Sequence, residues 1–350
     1  MADVLVVGGG IVGLLTSHAL RLRGVQVKIF DTPSVRPGAS WAGGGILSAL
    51  YPWRYADEVS CLTLPALAAY RELAQIVQEI GGVDPEVRVP GMLVFGEPDI
   101  ALALNWARQH GVRLEEQHGR LWLPDIGSVR NPRMLKGLRL LLRRHNIEQL
   151  NEAVSKVVAV PGGGWEVHTA TAVHRGSKVL VSAGYWSAAL LGALGIRLDI
   201  CPVKGQMLLY QLPDRRAPEQ ILLTPEGYLI PRDGHTVVVG STLERGVVDQ
   251  RPSQSAHTQL QDVAVTLWPA LARQAPIAQW AGIRPGTSRQ APILSEAPHH
   301  PGLFVATGHY RNGLVCAPAS AEIMAALIMG ETPAIDPAPY SLSPSSSSPP

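Results

Sequence analysis

Two groups of residues in this chain have the types and spacing to do chemistry. The first is Gly8-x-Gly10-x-x-Gly13, which follows an apolar run and is answered downstream by Asp31. In such a cradle the first glycine permits a tight turn. The second lets backbone approach a pyrophosphate, and the third lets a helix pack closely on a sheet. The N–H groups of Ile11, Val12 and Gly13, at the positive end of the helix dipole, would face the phosphates. Asp31, with Thr32 after it, is placed to accept hydrogen bonds from ribose hydroxyls. The other reading is a structural turn with Asp31 as a solvated strand end, and the motif alone does not separate FAD from NAD. The second group centres on Arg311, flanked by Gly308 and Gly313. A guanidinium grips a carboxylate through two parallel hydrogen bonds, fixing orientation as well as charge. The ordinary alternative for any arginine is a surface ion pair.

The elements that must position these residues can be read from the pattern. Asp3–Val7 predicts a short buried strand, the next residues an amphipathic helix to about Arg23, and Val25–Phe30 a second buried strand. That is the strand–helix–strand order of a βαβ unit. Helices are expected over Leu62–Ile80, over Asp99–His110, from Pro132 to near His145 with Asn131 as its cap, and over Ser255–Ala272. Strands are expected at Pro90–Phe95, Val154–Val160, Trp165–Ala170 and Lys178–Ser182, and repeatedly between Gly205 and Ser241, with a hairpin at Arg232-Asp233-Gly234. Leu303–Ala306 reads as a last strand, and about Gly313 to Met329 as a long apolar helix.

Bulk properties remove several classes of function. Of 350 residues, 46% are hydrophobic, enough for a core, and the length suggests about two domains. A formal net charge of +2 without a basic, aromatic-laced stripe argues against a nucleic-acid partner. Cys61, Cys201 and Cys316 have no metal or disulfide spacing, and no metal site is expected. The run Val4–Leu15 lacks a basic flank and holds four glycines, so it does not read as a signal peptide. No other stretch reads as a spanning segment of ~18 apolar residues. A cytoplasmic protein without a membrane partner is the expectation.

The order of five segments adds more. Val4–Asp31 is followed by the small-residue loop Gly38-Ala39-Ser40-Trp41-Ala42-Gly43-Gly44-Gly45-Ile46. Then come Pro202–Gln206, Trp280–Thr287 and Gly308-His309-Tyr310-Arg311-Asn312-Gly313. This series resembles the D-amino acid oxidase superfamily of FAD enzymes, most nearly its members that oxidise glycine and supply its imine for the thiazole of thiamine. The resemblance runs from Val4 to about Met329. It implies an α/β fold with a Rossmann-like FAD-binding domain (1–80, 145–200 and 282–335). Interleaved with it would be an α+β substrate domain on a large mixed sheet (81–144 and 201–281). The end of the chain, 336–350, where Ser and Pro accumulate, is expected by its composition to be a disordered tail.

The same resemblance assigns FAD contacts to Ala39, Ser40, Gly44, Gly45 and Ile46, and sets Val157 near the adenine. It makes Arg311 the carboxylate anchor, Arg284 a second substrate-contacting arginine and Tyr228 a hydroxyl that reaches the carboxylate. The helix start at Gly313 would face the flavin N1 and C2 carbonyl, stabilising the anionic reduced ring, with the backbone of His309, Tyr310, Arg311, Asn312, Gly313, Leu314 and Val315 against the cofactor. Hydride transfer from the α-carbon to flavin N5 needs no side-chain base if the amine binds unprotonated, so none is assigned. FAD is expected to be non-covalent, because Cys316 does not match the cysteine that tethers it in sarcosine oxidases. Asp31, Ile46, Leu243 and Tyr310 depart from residues found in relatives, which touches substrate preference more than reaction class. The implied partners are a small amino acid (glycine, sarcosine or D-alanine), molecular oxygen and further copies of the chain in a tetramer. Competing readings are a dehydrogenase that passes electrons to a quinone or carrier, an NAD-linked dehydrogenase, and a non-catalytic FAD scaffold.

Overall fold

The computed structural model describes residues 2–32, 38–213 and 217–342. Two sheets carry the architecture. The first has eight strands. Its centre is Ala2–Val7, flanked in parallel by Val27–Phe30 and Val173–Val181. Leu303–Thr307 joins in parallel beyond Val173–Val181, and Glu148–Leu150 beyond Val27–Phe30, while Ile293–Glu296 closes one edge antiparallel. Val4, Leu5 and Val6 are 1% exposed or less, because both faces of the sheet are covered. Such a strand shows no apolar–polar alternation, and its sequence is a continuous apolar run.

The helix Ile11–Leu22 and the last helix, Gly313–Met329, share one core cluster beside this sheet. The stretch Tyr310–Met329 is long and apolar enough to cross a bilayer, against the expectation that no stretch was. Its most apolar part is 67% buried inside the protein, and a helix buried in a core is apolar around most of its circumference.

The second sheet has nine strands. Its spine is the antiparallel pair Cys201–Gln211 and Ala278–Gly286, in register from Cys201 opposite Gly286 to Leu209 opposite Ala278. Thr236–Gly240 pairs with the spine and Tyr228–Pro231 with Thr236–Gly240, forming the expected hairpin. Ile221–Leu223 pairs parallel with Met92–Val94, so the sheet is mixed. The first sheet draws on the start, middle and end of the chain and the second on the stretches between. The fold is a Rossmann-like α/β unit interleaved with a unit built on a large mixed sheet. Two elements fall across the expected division. Helix Asn131–Arg144 packs in the core of the first unit, and Ala278–Gly286 belongs to the second sheet.

Several local expectations shift for identifiable reasons. The helix expected over Leu62–Ile80 is two, Asp57–Thr63 and Ala66–Gly81, interrupted at Pro65, which has no N–H to donate. The helix expected over Ser255–Ala272 ends at Leu267, and Pro269 opens a short 3-10 turn. Asn131 is not a cap: it lies inside its helix and donates its amide to the carbonyls of Ser40 and Gly43, at 2.9 and 3.0 Å. The tail expected to be disordered from 336 is docked at least to Leu342. Tyr340 is buried and donates to Glu58 O at 2.7 Å, and Arg289 holds the carbonyls of Pro339 and Ser341. The rest of that stretch, 343–350, lies outside the described residues.

Candidate active site

The glycine turn is shaped by what stands against it. Gly8 has φ +114°, and a Cβ there would fall 2.5 Å from Ser182 O; a Cβ at Gly13 would fall 2.0 Å from Gly8 O. Both glycines are required by the close approach of turn, helix and the end of Val173–Val181. Gly10 differs. Among the described residues only the Ser40 hydroxyl lies within 4 Å of its Cβ position, at 3.1 Å, so they leave that side of the turn open. Ser40 Oγ accepts the Ile11 N–H at 3.0 Å. The first-turn N–H groups of a helix have no intrahelical partner, so those of Val12 and Gly13 remain for a ligand. The turn can take a pyrophosphate where side chains would have closed it.

Asp31 stands over the same turn, with its carboxylate 2.7 Å from where a Gly9 Cβ would be. One of its oxygens is already held: Arg139 donates to Asp31 Oδ2 at 2.6 Å and to Gly9 O at 2.7 Å. Sequence reasoning missed Arg139, one basic residue among several on an amphipathic helix. It also missed Ser182, whose hydroxyl donates to Gly8 O at 3.1 Å. Thr32 is exposed at the edge of the cradle. Val157 is buried in one cluster with Phe30, the residue before Asp31, and with Trp165 and Val167 of the strand meander.

The small-residue loop is tied down by donors from three elements. Asn131 holds Ser40 O and Gly43 O, Trp280 Nε1 donates to Ala42 O at 2.9 Å, and Arg232 Nη2 donates to Gly44 O at 2.5 Å. Ala39 opens the short helix Ala39–Ala42, which packs on Gly282. Gly45, at φ +82°, leaves no room for a Cβ beside Val129 O, and a Cβ on Gly44 would strike Ile230 and Tyr228. Ile46 is buried and bridged to Ser128. Arg232, which sequence reasoning read only as part of a turn, is buried, and burial pulls its guanidinium down to about 10.

Arg284, Tyr228 and Arg311 come together from three elements. Arg284, on the spine strand, lies across Gly205, where a Cβ would fall 2.1 Å from its Nη1. Its guanidinium donates to Ser241 Oγ at 2.8 Å and Thr242 O at 3.2 Å. Burial lowers its pKa, and the nearby Arg311 cation acts in the same direction. Tyr228 is buried, with its hydroxyl on Met207 Sδ at 3.6 Å. Leu243, beside Thr242, is exposed. Arg311 lies in the 3-10 turn Tyr310–Asn312 and is exposed, with no hydrogen bond or ion pair to its side chain among the described residues. Tyr310 is left-handed at φ 47°, and Asn312 is buried against the start of the last helix. The His309 ring turns inward to Ser320 Oγ at 3.1 Å, and burial lowers its pKa to about 4. Tyr70 holds Leu314 O at 2.8 Å, and Val315 is buried. Cys316 is buried and its thiol is pushed up, which keeps it unreactive. Among the described residues no His, Cys, Asp and Glu gather into a metal-binding cluster.

A family model described as FAD dependent oxidoreductase matches residues 3–327, and the chain belongs to that family. Within it, the chain is 40% identical to a glycine oxidase of Pseudomonas aeruginosa, over 96% of this chain and 97% of that one. It is 30% identical to a bifunctional protein ThiO/ThiG of Synechocystis sp., covering 94% of this chain and 52% of the relative. A crystal structure of glycine oxidase from Geobacillus kaustophilus superposes with a TM-score of 0.92 at 26% identity, covering 98% of each chain.

Proposed function

We propose that the protein is an FAD-dependent oxidase of small amino acids, with glycine as the leading substrate and sarcosine and D-alanine as others. The observation that carries the reading is the position of Arg311: a cation with no protein partner among the described residues, at the start of the last helix, beside the buried Arg284 and Tyr228. FAD, when bound, would accept a hydride from the substrate α-carbon and return the electrons to oxygen as hydrogen peroxide.

This chain's residues do the rest. Gly8, Gly10 and the first turn from Ile11 to Gly13 would hold the pyrophosphate, and Asp31, steadied by Arg139, the ribose. The loop from Ala39 to Ile46 and the backbone from His309 to Val315 would lie along the ring system. Arg311 would take the substrate carboxylate as a fork, with Tyr228 adding a hydrogen bond and Arg284 a second positive charge. Ile46, Met207 and Tyr228 belong to one buried apolar cluster, which keeps water from the reacting carbon. No side-chain base is needed, because positioning of an unprotonated amine supplies the acceleration. The product imine hydrolyses to glyoxylate and ammonia, or is handed on to build the thiazole of thiamine. A non-covalent FAD, a cytoplasmic location and a homotetramer complete the reading, the last to be tested by light scattering.

The deciding experiment is the anaerobic visible spectrum before and after glycine. A flavin band that bleaches with glycine and returns with air supports the oxidase. Bleaching by D-alanine or sarcosine alone moves the substrate. Bleaching that air does not reverse points to another electron acceptor, and failure to bind added FAD overturns the reading.

A further inference from the structure

Tyr51 stands out in the buried cluster that walls the candidate site. It is left-handed, at φ 55° and ψ 62°, where it leads into the short turn Pro52–Arg54. A bulky side chain is rarely held in that region unless its surroundings impose it, and such residues gather at functional sites. Here the surroundings are specific. The Arg54 guanidinium lies 4.2 Å over the ring centroid and is fixed in turn by Glu97 at 2.7 Å, a carboxylate whose side chain is 1% exposed. Trp53 meets the ring edge-on at 5.9 Å. The ring shares its cluster with Ile46, Met207 and Tyr228.

The hydroxyl of this clamped ring is closed off from solvent and has no hydrogen-bond partner among the described residues. Trp53 Nε1, two residues on, is a second buried donor in the same condition. Buried polar side-chain atoms are nearly always paired, so an orphan donor in the wall of a binding site marks where a ligand atom belongs. Burial pushes the phenol up to about 12, so it remains a donor at neutral pH, and the charge of Arg311 is among those it feels. A carboxylate can accept about four hydrogen bonds, and an arginine fork uses two.

We propose that Tyr51 is a substrate-contacting residue whose hydroxyl donates to the carboxylate held by Arg311, while its ring closes the pocket against longer side chains. The proposal rests on the reading of Arg311 as the carboxylate anchor. It assigns the site a preference for α-amino acids with little or no side chain.

The test compares the parent holoenzyme with Tyr51→Phe and Tyr51→Ala, using glycolate as a non-reacting carboxylate that perturbs the flavin spectrum. Tyr51→Phe is expected to raise the glycolate Kd and the glycine KM about tenfold, as loss of a hydrogen bond to a charged group does. Its kcat, FAD affinity and thermal midpoint should stay close to the parent values. Tyr51→Ala is expected to gain turnover of longer D-amino acids relative to glycine. A Tyr51→Phe protein with KM and glycolate Kd within about twofold of the parent overturns the proposal. So does one that fails to fold or to hold FAD, since a hydroxyl without protein partners has no part in folding. If the parent itself responds to neither glycolate nor glycine, the reading of Arg311 has failed instead.

Discussion

At the scale of single residues, the two arginines are not equivalent. Arg284 already spends its guanidinium on Ser241 and Thr242, whereas Arg311 has no such partner among the described residues. Replacing Arg311 by Ala is therefore expected to lower kcat/KM for glycine on the order of a hundredfold, from losing a charge-assisted pair desolvated in the complex. Steady-state kinetics alongside an FAD titration would show it, and unchanged turnover would remove Arg311 from the site. His309 supports a different prediction. Its pKa in the folded protein is lowered from 6.5 to about 4, so below about pH 6.5 the unfolded chain binds the proton better. Stability present above pH 6.5 should be lost as the pH falls towards 4, by up to about 3 kcal/mol at about 1.4 kcal/mol per unit. Urea unfolding across that range should show a flatter profile for His309→Asn. An equal slope in both proteins would place the acid sensitivity elsewhere.

At the scale of elements, the glycines sort by what a Cβ would meet. At Gly13 it would meet backbone, Gly8 O at 2.0 Å, which cannot yield without moving strand or helix. Gly13→Ala should therefore lose FAD binding together with about 3 kcal/mol of stability, as backbone strain and overpacking do. At Gly205 it would meet the far end of Arg284, a long side chain that can swing aside. Gly205→Ala should keep the fold and FAD but displace Arg284, raising the glycine KM while leaving the thermal midpoint near the parent value. Kinetics and a melting curve on the same preparation check both halves of that statement. A collapsed midpoint would mean that Arg284 is locked in place by its bonds to Ser241 and Thr242.

At the scale of the whole molecule, the proposed cofactor site is assembled from stretches far apart in the chain: the glycine turn, Asp31, the loop from Ala39 to Ile46 and the start of the last helix. The loop is also tied to the second sheet by Trp280 on Ala42 and to the turn after Tyr228–Pro231 by Arg232 on Gly44. A ligand that binds only this assembled state stabilises it by mass action, about 2.7 kcal/mol at a hundredfold excess over Kd. The thermal midpoint of apoprotein should therefore climb with FAD concentration, and a midpoint indifferent to FAD would place the flavin elsewhere.

How much of this was legible in the chain depends on range. The strand–turn–helix of the cradle, Asp31 at its strand end and the last helix from Gly313 to Met329 were readable, because each is specified by neighbours in sequence: apolar runs, glycine spacing and a change of period. The breaks at Pro65 and Pro269 were also written there, as prolines without an N–H to give. Arg139 on Asp31, Arg232 under Gly44, Asn131 on Ser40 and the orphan hydroxyl of Tyr51 had no such signal. The first three are contacts between residues about a hundred positions or more apart, the fourth is a contact not made, and a side chain's type does not say which distant carbonyl or carboxylate it will meet. Sequence by itself determined which elements form and which chemistry they could serve. Only tertiary packing decided which donors are spent inside the protein and which are left over for a ligand.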